Sequence, residues 1–438
     1  MNKQILLINP PQGFDNGRPR FFPTGLAYIA ASLKQEKYSV DVLDFEIGQD
    51  LTHVQDLREY DLIGMTGYIN HAKFIQIMVK ETRRRGFNRK IVLGGMLPTS
   101  VPKWSLTYTG ADIAVIGEGE ETIKDIVREV PLEKIGGILY KSKTSLHTTF
   151  PRRPTLELDK LPFPAWEYFD VEEYFKSENP YLEHPRRRID IVPTRGCFGK
   201  CIFCDREHHR IVRRRSLESV TEEIEMMRKQ FGIEEVDFQS DLFISDKEWA
   251  REVIRAIARK KIEYTIDSRV DTVDRSLIRE LRNSGCRKIY YGFESASQTV
   301  LDFLKKGIRV EQIEELINIH REEKLGLYSG FIIGVPFESE RTVKKTVNFC
   351  KRNKISVGLN LPETLFSTNF FYLTPFPGTK LFETLKDEIC LTNFLRRIQM
   401  TSDKNLLENL TINLTPLSDE ELIALRERAI KEINNHLS

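Results

Sequence analysis

The chain has 438 residues, 40% hydrophobic and 30% charged, with a formal net charge of +2. That balance belongs to a globular chain long enough for two cores and excludes a disordered one. It leaves no nucleic-acid footprint: the arginine runs Arg83–Arg85, Arg186–Arg188 and Arg213–Arg215 are short, separated and read as solvated faces.

From Lys3 to Lys143 short apolar runs alternate with helical patterns. The runs Gln4–Asn9, Ser39–Asp44, Asp61–Thr66, Lys90–Gly95 and Ala111–Gly117 read as strands. Segments with apolar residues at three-to-four spacing lie between them and read as helices. Such alternation predicts a parallel sheet covered on both faces, a doubly wound α/β domain whose ligand sits at the strand ends. The Gly-Glu-Gly-Glu run at 117–120 lacks the spacing of a dinucleotide fingerprint, so nicotinamide is not expected.

The stretch 144–188 is rich in proline and aromatics and reads as a linker with a short hairpin at its start. Beyond it the alternation resumes, with strands expected at Ile189–Thr194, Val236–Ser240, Tyr264–Ser268, Lys288–Phe293, Gly326–Gly334 and Asn369–Thr374. Ser219 with Glu222 looks like the capping start of the first helix of this half. Six such units predict a barrel-like parallel sheet, three-quarters of an eight-fold one. A final amphipathic helix opens at Ser418, with Glu421 as its capping partner, and should bury Leu422, Leu425 and Ile433.

No apolar stretch reaches the roughly 18 residues of a membrane span, and the apolar run before Pro10 is too short for a signal peptide. The protein is expected to be cytoplasmic. Of six cysteines, Cys286, Cys350 and Cys390 stand singly and read as buried structural thiols. Cys197, Cys201 and Cys204 fall within eight residues, on the loop after the first barrel strand. Three thiolates so spaced can each take one iron of a 4Fe-4S cube and leave the fourth iron open to a ligand. With His208 as a fourth ligand, the same residues could instead hold structural zinc in a non-catalytic protein.

The segment Cys197–Cys204, CFGKCIFC, resembles the CxxxCxΦC signature of the radical S-adenosylmethionine superfamily, with Phe203 as the aromatic residue. The resemblance implies that the cluster reduces S-adenosylmethionine to methionine and a 5′-deoxyadenosyl radical. It also implies cofactor contacts at successive strand ends: Ser240 and Asp241 to the methionine amino group, and Arg269 to its carboxylate. Glu294 and Ser295 would reach the ribose or methionine end, with Ile332 and Gly334 beside the adenine.

The first half resembles the cobalamin-binding subgroup of that superfamily through INPP, FFPTGLAYIAASL, LIGMTGY, VLGGMLPT, DIAVIGEGEET and DKLPFPAWE, in that order. The likeness covers residues 1–380. It implies a Rossmann-like cobalamin-binding domain over 1–143, a linker over 144–188, and a partial (β/α)6 TIM-like barrel over 189–380. A short helical segment, 381–438, then ends the chain. Cobalamin contacts are expected at Asn9, Pro10, Thr66, Gly67, Gly94, Gly95, Gly117 and Glu118. The Asp-x-His-x-x-Gly motif for a lower axial ligand is absent, and Leu97 stands where the subgroup often has histidine.

The function implied is a cobalamin-dependent radical methyltransferase acting on an unactivated carbon. Cyclisation, ring rearrangement or oxidation without methyl transfer is the alternative. The substrate would be a small molecule, lipid or peptide lined by Tyr372 and Thr374. The electron donor would be a flavodoxin- or ferredoxin-like protein, and no nucleic acid partner and no membrane span are expected.

Overall fold

The computed structural model describes residues 3–11, 21–176, 187–204, 210–358, 365–387, 389–400 and 409–437. It divides into two compact units, Met1–Glu178 and Asn179–Ser438.

In the first unit, strands β1 (Gln4–Asn9), β2 (Ser39–Asp44), β3 (Leu62–Thr66), β4 (Lys90–Gly94) and β5 (Ile113–Val115) run parallel in the order β2-β1-β3-β4-β5. Two antiparallel strands, β6 (Ile138–Lys141) and β7 (Leu146–Thr148), extend the sheet. The chain leaves β1 for β2 on one side and returns past β1 to β3 on the other. Right-handed crossovers therefore place helices on both faces. Ile5 to Asn9 are accordingly buried without alternation. The reversal makes a crevice beyond the carboxyl ends of β1 and β3, where ligands bind in such sheets.

The expected boundary at residue 143 moves. The hairpin begins at Ile138, and the stretch read as linker is built into the first unit as far as it is described. Trp166 is 2% exposed and stacks on Phe22 with ring centroids 3.7 Å apart, while Ala165 N–H donates to Ala27 O at 3.1 Å. Burial of these aromatics holds the segment down.

The second unit opens with β8 (Arg188–Ile191) and a small antiparallel pair, β9 (Thr194–Arg195) and β10 (Arg213–Arg214). The sheet continues through β11 (Glu235–Phe238), β12 (Glu263–Ser268), β13 (Cys286–Glu294), β14 (Gly326–Ile333), β15 (Ser356–Val357) and β16 (Phe366–Tyr372). All its strands are parallel, in the order β15-β16-β14-β13-β12-β11-β8. The six expected strands are present, and β15 is an additional short edge. Apart from that edge, each strand is added beside the last in one direction, so right-handed crossovers keep the helices on one face. That is the winding of a barrel rather than of a two-faced sheet.

Burial follows the winding. Residues facing the helices, such as Phe238, Ile266, Ile289 and Phe331, are fully buried, whereas Asp237, Asp267, Tyr290 and Tyr328 on the other face stay partly accessible. The inner face is therefore a lumen.

Several local expectations change. The helix Leu217–Phe231 is capped by Ser216, whose Oγ accepts Ser219 N–H at 3.1 Å. Ser219 instead accepts Arg215 Nε at 3.0 Å. Arg213 and Arg215 are buried rather than solvated, and Arg215 is ion-paired with Glu223. Cys286 and Cys350 are buried as expected, but Cys390 is exposed. At the last helix, Asp419–Leu437, the expected box forms. Ser418 N–H donates to Glu421 Oε2 at 2.7 Å, Glu421 N–H donates to Ser418 Oγ at 3.2 Å, and Leu422, Leu425 and Ile433 are buried. Among the described residues, no helix is long and apolar enough to cross a membrane.

Candidate functional site

The cysteine loop lies just past the carboxyl end of β8 and is held from several sides. Gly196, at φ +96°, donates its N–H to Asp241 Oδ2 at 2.7 Å. Ile202 N–H donates to Leu304 O at 3.1 Å, and Ile202 O accepts Leu381 N–H at 2.8 Å. Ile202 and Phe203 pack on the apolar cluster of Val300, Leu304, Val335, Leu373 and Leu381. Phe203 thus anchors the loop in the core. Gly199 leaves little room for a side chain: a Cβ there would lie 3.0 Å from Arg269 Nη1 and 3.3 Å from Cys197 Sγ.

The side chains of Cys197, Cys201 and Cys204 are half-buried. Burial pushes the Cys201 thiol up, and Lys306 and Arg269 oppose that with positive charge. Three thiols on one clamped loop beside two cations suit an anionic iron–sulfur cluster. Among the described residues no three His, Cys, Asp or Glu side chains converge as ligands of one ion. His208, the fourth ligand of the zinc alternative, lies outside the described residues.

The expected cofactor residues do gather at successive strand ends. Ser240 follows β11, and its buried Oγ has no protein partner. Asp241 holds the cysteine loop through Gly196. Arg269 follows β12, 8% exposed, and forms a two-pronged pair with Asp271 at 2.8 Å on both prongs. Its Nη2 also donates to Lys306 O at 3.0 Å, and its guanidinium lies over the Phe198 ring. Only Nη1 is left for a ligand, so much of Arg269 is a brace for the loop.

Glu294 ends β13 at φ +63°, where the register with β14 slips, and accepts Lys306 Nζ at 2.7 Å. Ser295 Oγ accepts Ser297 N–H at 3.1 Å and shapes the next turn. Ile332 faces the lumen from β14. Gly334, at φ +101°, donates its N–H to Glu338 Oε2 at 2.9 Å. Glu338 is buried, which pushes its carboxyl up, and also accepts Thr342 Oγ1.

Further inside the lumen, Arg188 pairs with Asp237, which also accepts Thr265 Oγ1 at 2.6 Å. Asp190, the neighbour of Asp237 in register, accepts Gln239 Nε2 at 2.9 Å. Burial, and then the charge of Asp237, push the Asp190 carboxyl upward. The rings of Tyr290 and Tyr328 meet edge-on at 5.8 Å on the adjoining strands. Lys306, Glu338 and this acid–tyrosine wall have no sequence motif.

Tyr372 and Thr374 do not line the lumen. Tyr372 is 4% exposed, faces the helical side of β16 and lies under Arg426 of the last helix, 5.4 Å from the ring centroid. Thr374 is buried against Thr411. Strand parity gives the inward place to Phe371, beside Gly330. Tyr372→Ala should therefore cost about 3–5 kcal/mol of stability, and Phe371→Ala distinctly less. Thermal unfolding ranks the two, and the reverse order would return Tyr372 to the lumen.

In the first unit the ends of β3 and β4 are knitted together. Gly67 N–H donates to Gly94 O at 3.2 Å, and Leu97 N–H donates to Gly67 O at 2.8 Å. Gly95 sits at φ +87°, and a Cβ there would lie 2.8 Å from Thr66 Oγ1 and 3.0 Å from Gly67 N and O. Gly117, at φ +84°, donates its N–H to Thr99 Oγ1 at 3.0 Å, yet its Cβ direction is open. Thr66, Gly67, Gly94 and Gly95 thus form one side-chain-poor floor that a flat macrocycle could approach.

Asn9 and Glu118 are tied inward: Asn9 Nδ2 donates to Asp44 Oδ1 at 2.8 Å, and Glu118 Oε2 accepts Thr155 N–H at 3.1 Å. Pro10 follows Asn9 and is buried. Leu97 is a core residue, 1% exposed. The nearby His71 accepts Tyr68 N–H on Nδ1 and is pushed down to about 4 by burial.

Two domain families match the chain, the B12 binding domain over residues 17–127 and the Radical SAM superfamily over residues 191–350. An uncharacterised methyltransferase of Pyrococcus horikoshii is 28% identical over 87% of this chain and 82% of its own. The cytidylyl-2-hydroxyethylphosphonate methyltransferase of Streptomyces wedmorensis is 26% identical over 86% of this chain and 81% of its own. The fold is shared with the radical S-adenosylmethionine methyltransferase TsrM from Kitasatospora setae. That structure matches with a TM-score of 0.73 at 20% identity, covering 88% of this chain and 76% of TsrM.

Proposed function

We propose that this chain, a radical S-adenosylmethionine protein with an N-terminal B12-binding domain, is a cobalamin-dependent methyltransferase acting on an unactivated carbon. The observation that carries the reading is the clamped loop of Cys197, Cys201 and Cys204 at the mouth of a one-way-wound parallel sheet. When bound, the cluster supplies an electron for cleaving S-adenosylmethionine to a 5′-deoxyadenosyl radical, and cobalamin supplies a methyl carrier.

The chain's own residues position and shield. Gly196, Ile202 and Phe203 fix the loop, while Asp241 and Arg269 brace it from β11 and β12. Ser240 Oγ and the remaining Arg269 Nη1 are the groups left to meet a methionine amino or carboxylate group. The floor of Thr66, Gly67, Gly94 and Gly95 is the surface best suited to the corrin.

The lumen below the cluster loop, with its acids and tyrosines, suits a small molecule with polar groups. The electron donor would be a flavodoxin- or ferredoxin-like protein. A cytoplasmic setting, with its reducing thiol pool, would suit a cluster held by thiolates.

The test is product analysis after anaerobic reconstitution with iron, sulfide and cobalamin. With its substrate, the enzyme should release 5′-deoxyadenosine and S-adenosylhomocysteine in comparable amounts. Formation of 5′-deoxyadenosine alone would replace methyl transfer with another radical reaction.

A further inference from the structure

Lys306 belongs to none of the sequence motifs, yet the fold buries its ammonium in the wall of the cluster site. It is 7% exposed and sits on the turn after the helix Gln298–Phe303. Two backbone oxygens of that turn bind the cluster region: Leu304 O accepts Ile202 N–H at 3.1 Å, and Lys306 O accepts Arg269 Nη2 at 3.0 Å. The ammonium therefore has a fixed place relative to the cysteine loop.

Its Nζ donates to Glu294 Oε1 at 2.7 Å. The two side chains fill space that Gly292 leaves open, where a Cβ would meet both Glu294 Oε1 and Lys306 Nζ. Burial works against the lysine's charge, but Glu294 and the Cys201 sulfur outweigh it, and Lys306 is held above its ordinary range. The same turn is tied to Ile202, the residue after Cys201, and to Arg269, whose Nη1 lies against Gly199 of the cysteine loop. A pair such as Lys306 with Glu294 stabilises a fold little by itself. Its consequence lies in where it puts charge.

We propose that Lys306 is a positioning residue that sets the reduction potential of the cluster, its ammonium favouring the reduced state and Glu294 opposing it. The inference rests on reading Cys197, Cys201 and Cys204 as cluster ligands. The step concerned is one electron passing from a one-electron donor, which is oxidised, to the cluster, which gains one unit of negative charge. A buried cation nearby stabilises that extra charge far more than it would in water.

The experiment is a redox titration of the reconstituted full-length protein with dithionite, without S-adenosylmethionine, followed by the electron spin resonance of the reduced cluster. Lys306→Met should lower the reduction equilibrium constant about tenfold, equivalent to about 59 mV for one electron. Glu294→Gln should raise it, and Lys306→Arg should restore a near-native value. Should Lys306→Met alone fold poorly around an unpaired Glu294, the doubly neutral Lys306→Met/Glu294→Gln protein should titrate between the two single variants.

Loosened packing alone would lower cluster loading in every variant without opposite shifts. Single variants that shift the same way, or not at all, overturn the proposal while leaving the cluster in place. A wild-type chain that takes up no iron overturns the proposed function and this inference together.

Discussion

Cys201→Ala should abolish 5′-deoxyadenosine formation, a loss of about 10³-fold or more, while the protein stays folded. With only Cys197 and Cys204 left, the loop would lack the third thiolate needed to hold a cluster that supplies the electron for cleavage. The loop itself should survive. It is held by backbone bonds at Ile202 and by the packing of Ile202 and Phe203, and the Cys201 side chain takes part in neither. Cys350→Ala is the opposing control. Cys350 is 0% exposed beneath the sheet, so its loss should cost about 1–2 kcal/mol of stability and leave cleavage of S-adenosylmethionine unchanged. Iron content, thermal unfolding and nucleoside product separate the two. Wild-type cleavage by Cys201→Ala would remove the cluster assignment.

Gly95→Ala should weaken cobalamin binding at least about tenfold and destabilise the first unit by about 1–3 kcal/mol. The substitution forces an L side chain to φ +87° and drives its Cβ against the backbone of Gly67 and the Thr66 hydroxyl. The Gly67 backbone cannot swing aside, because it is bonded to both Gly94 and Leu97. Gly117→Ala tests strain without collision. Its φ is +84° but nothing lies within 4 Å of the new Cβ, so it should show only the backbone cost of about 1–2 kcal/mol. Titration with hydroxocobalamin by absorbance, beside thermal unfolding, gives both quantities. Native affinity in Gly95→Ala would mean that the corrin sits elsewhere.

Local signals carried most of the fold. Continuous apolar runs marked β1 and β3, and the cysteine spacing is a property of eight consecutive residues. What escaped notice depends on contacts between distant segments. Trp166 reads as a linker aromatic until Phe22 is placed on its ring. Asp190 and Asp237 become neighbours only through the register of β8 with β11. Lys306 needs the turn after its helix to fold back over Gly292. Tyr372 and Phe371 differ by one position, and in a strand one position is the difference between two faces. Ser219 has the spacing of a cap with Glu222, yet Ser216 takes that place, and the Ser219 hydroxyl accepts from Arg215 in the fold.

The one-way winding of the second sheet has a consequence for how such a protein can change over generations. Residues facing the helices maintain the shell, and those between them in sequence face only the lumen. Selection can act on the two sets separately. Exchanging Asp190, Tyr290, Tyr328 or Phe371 would reshape the lumen while Phe238, Ile266, Ile289 and Phe331 go on holding the shell. The scaffold is conservative on one side of every strand and free to experiment on the other.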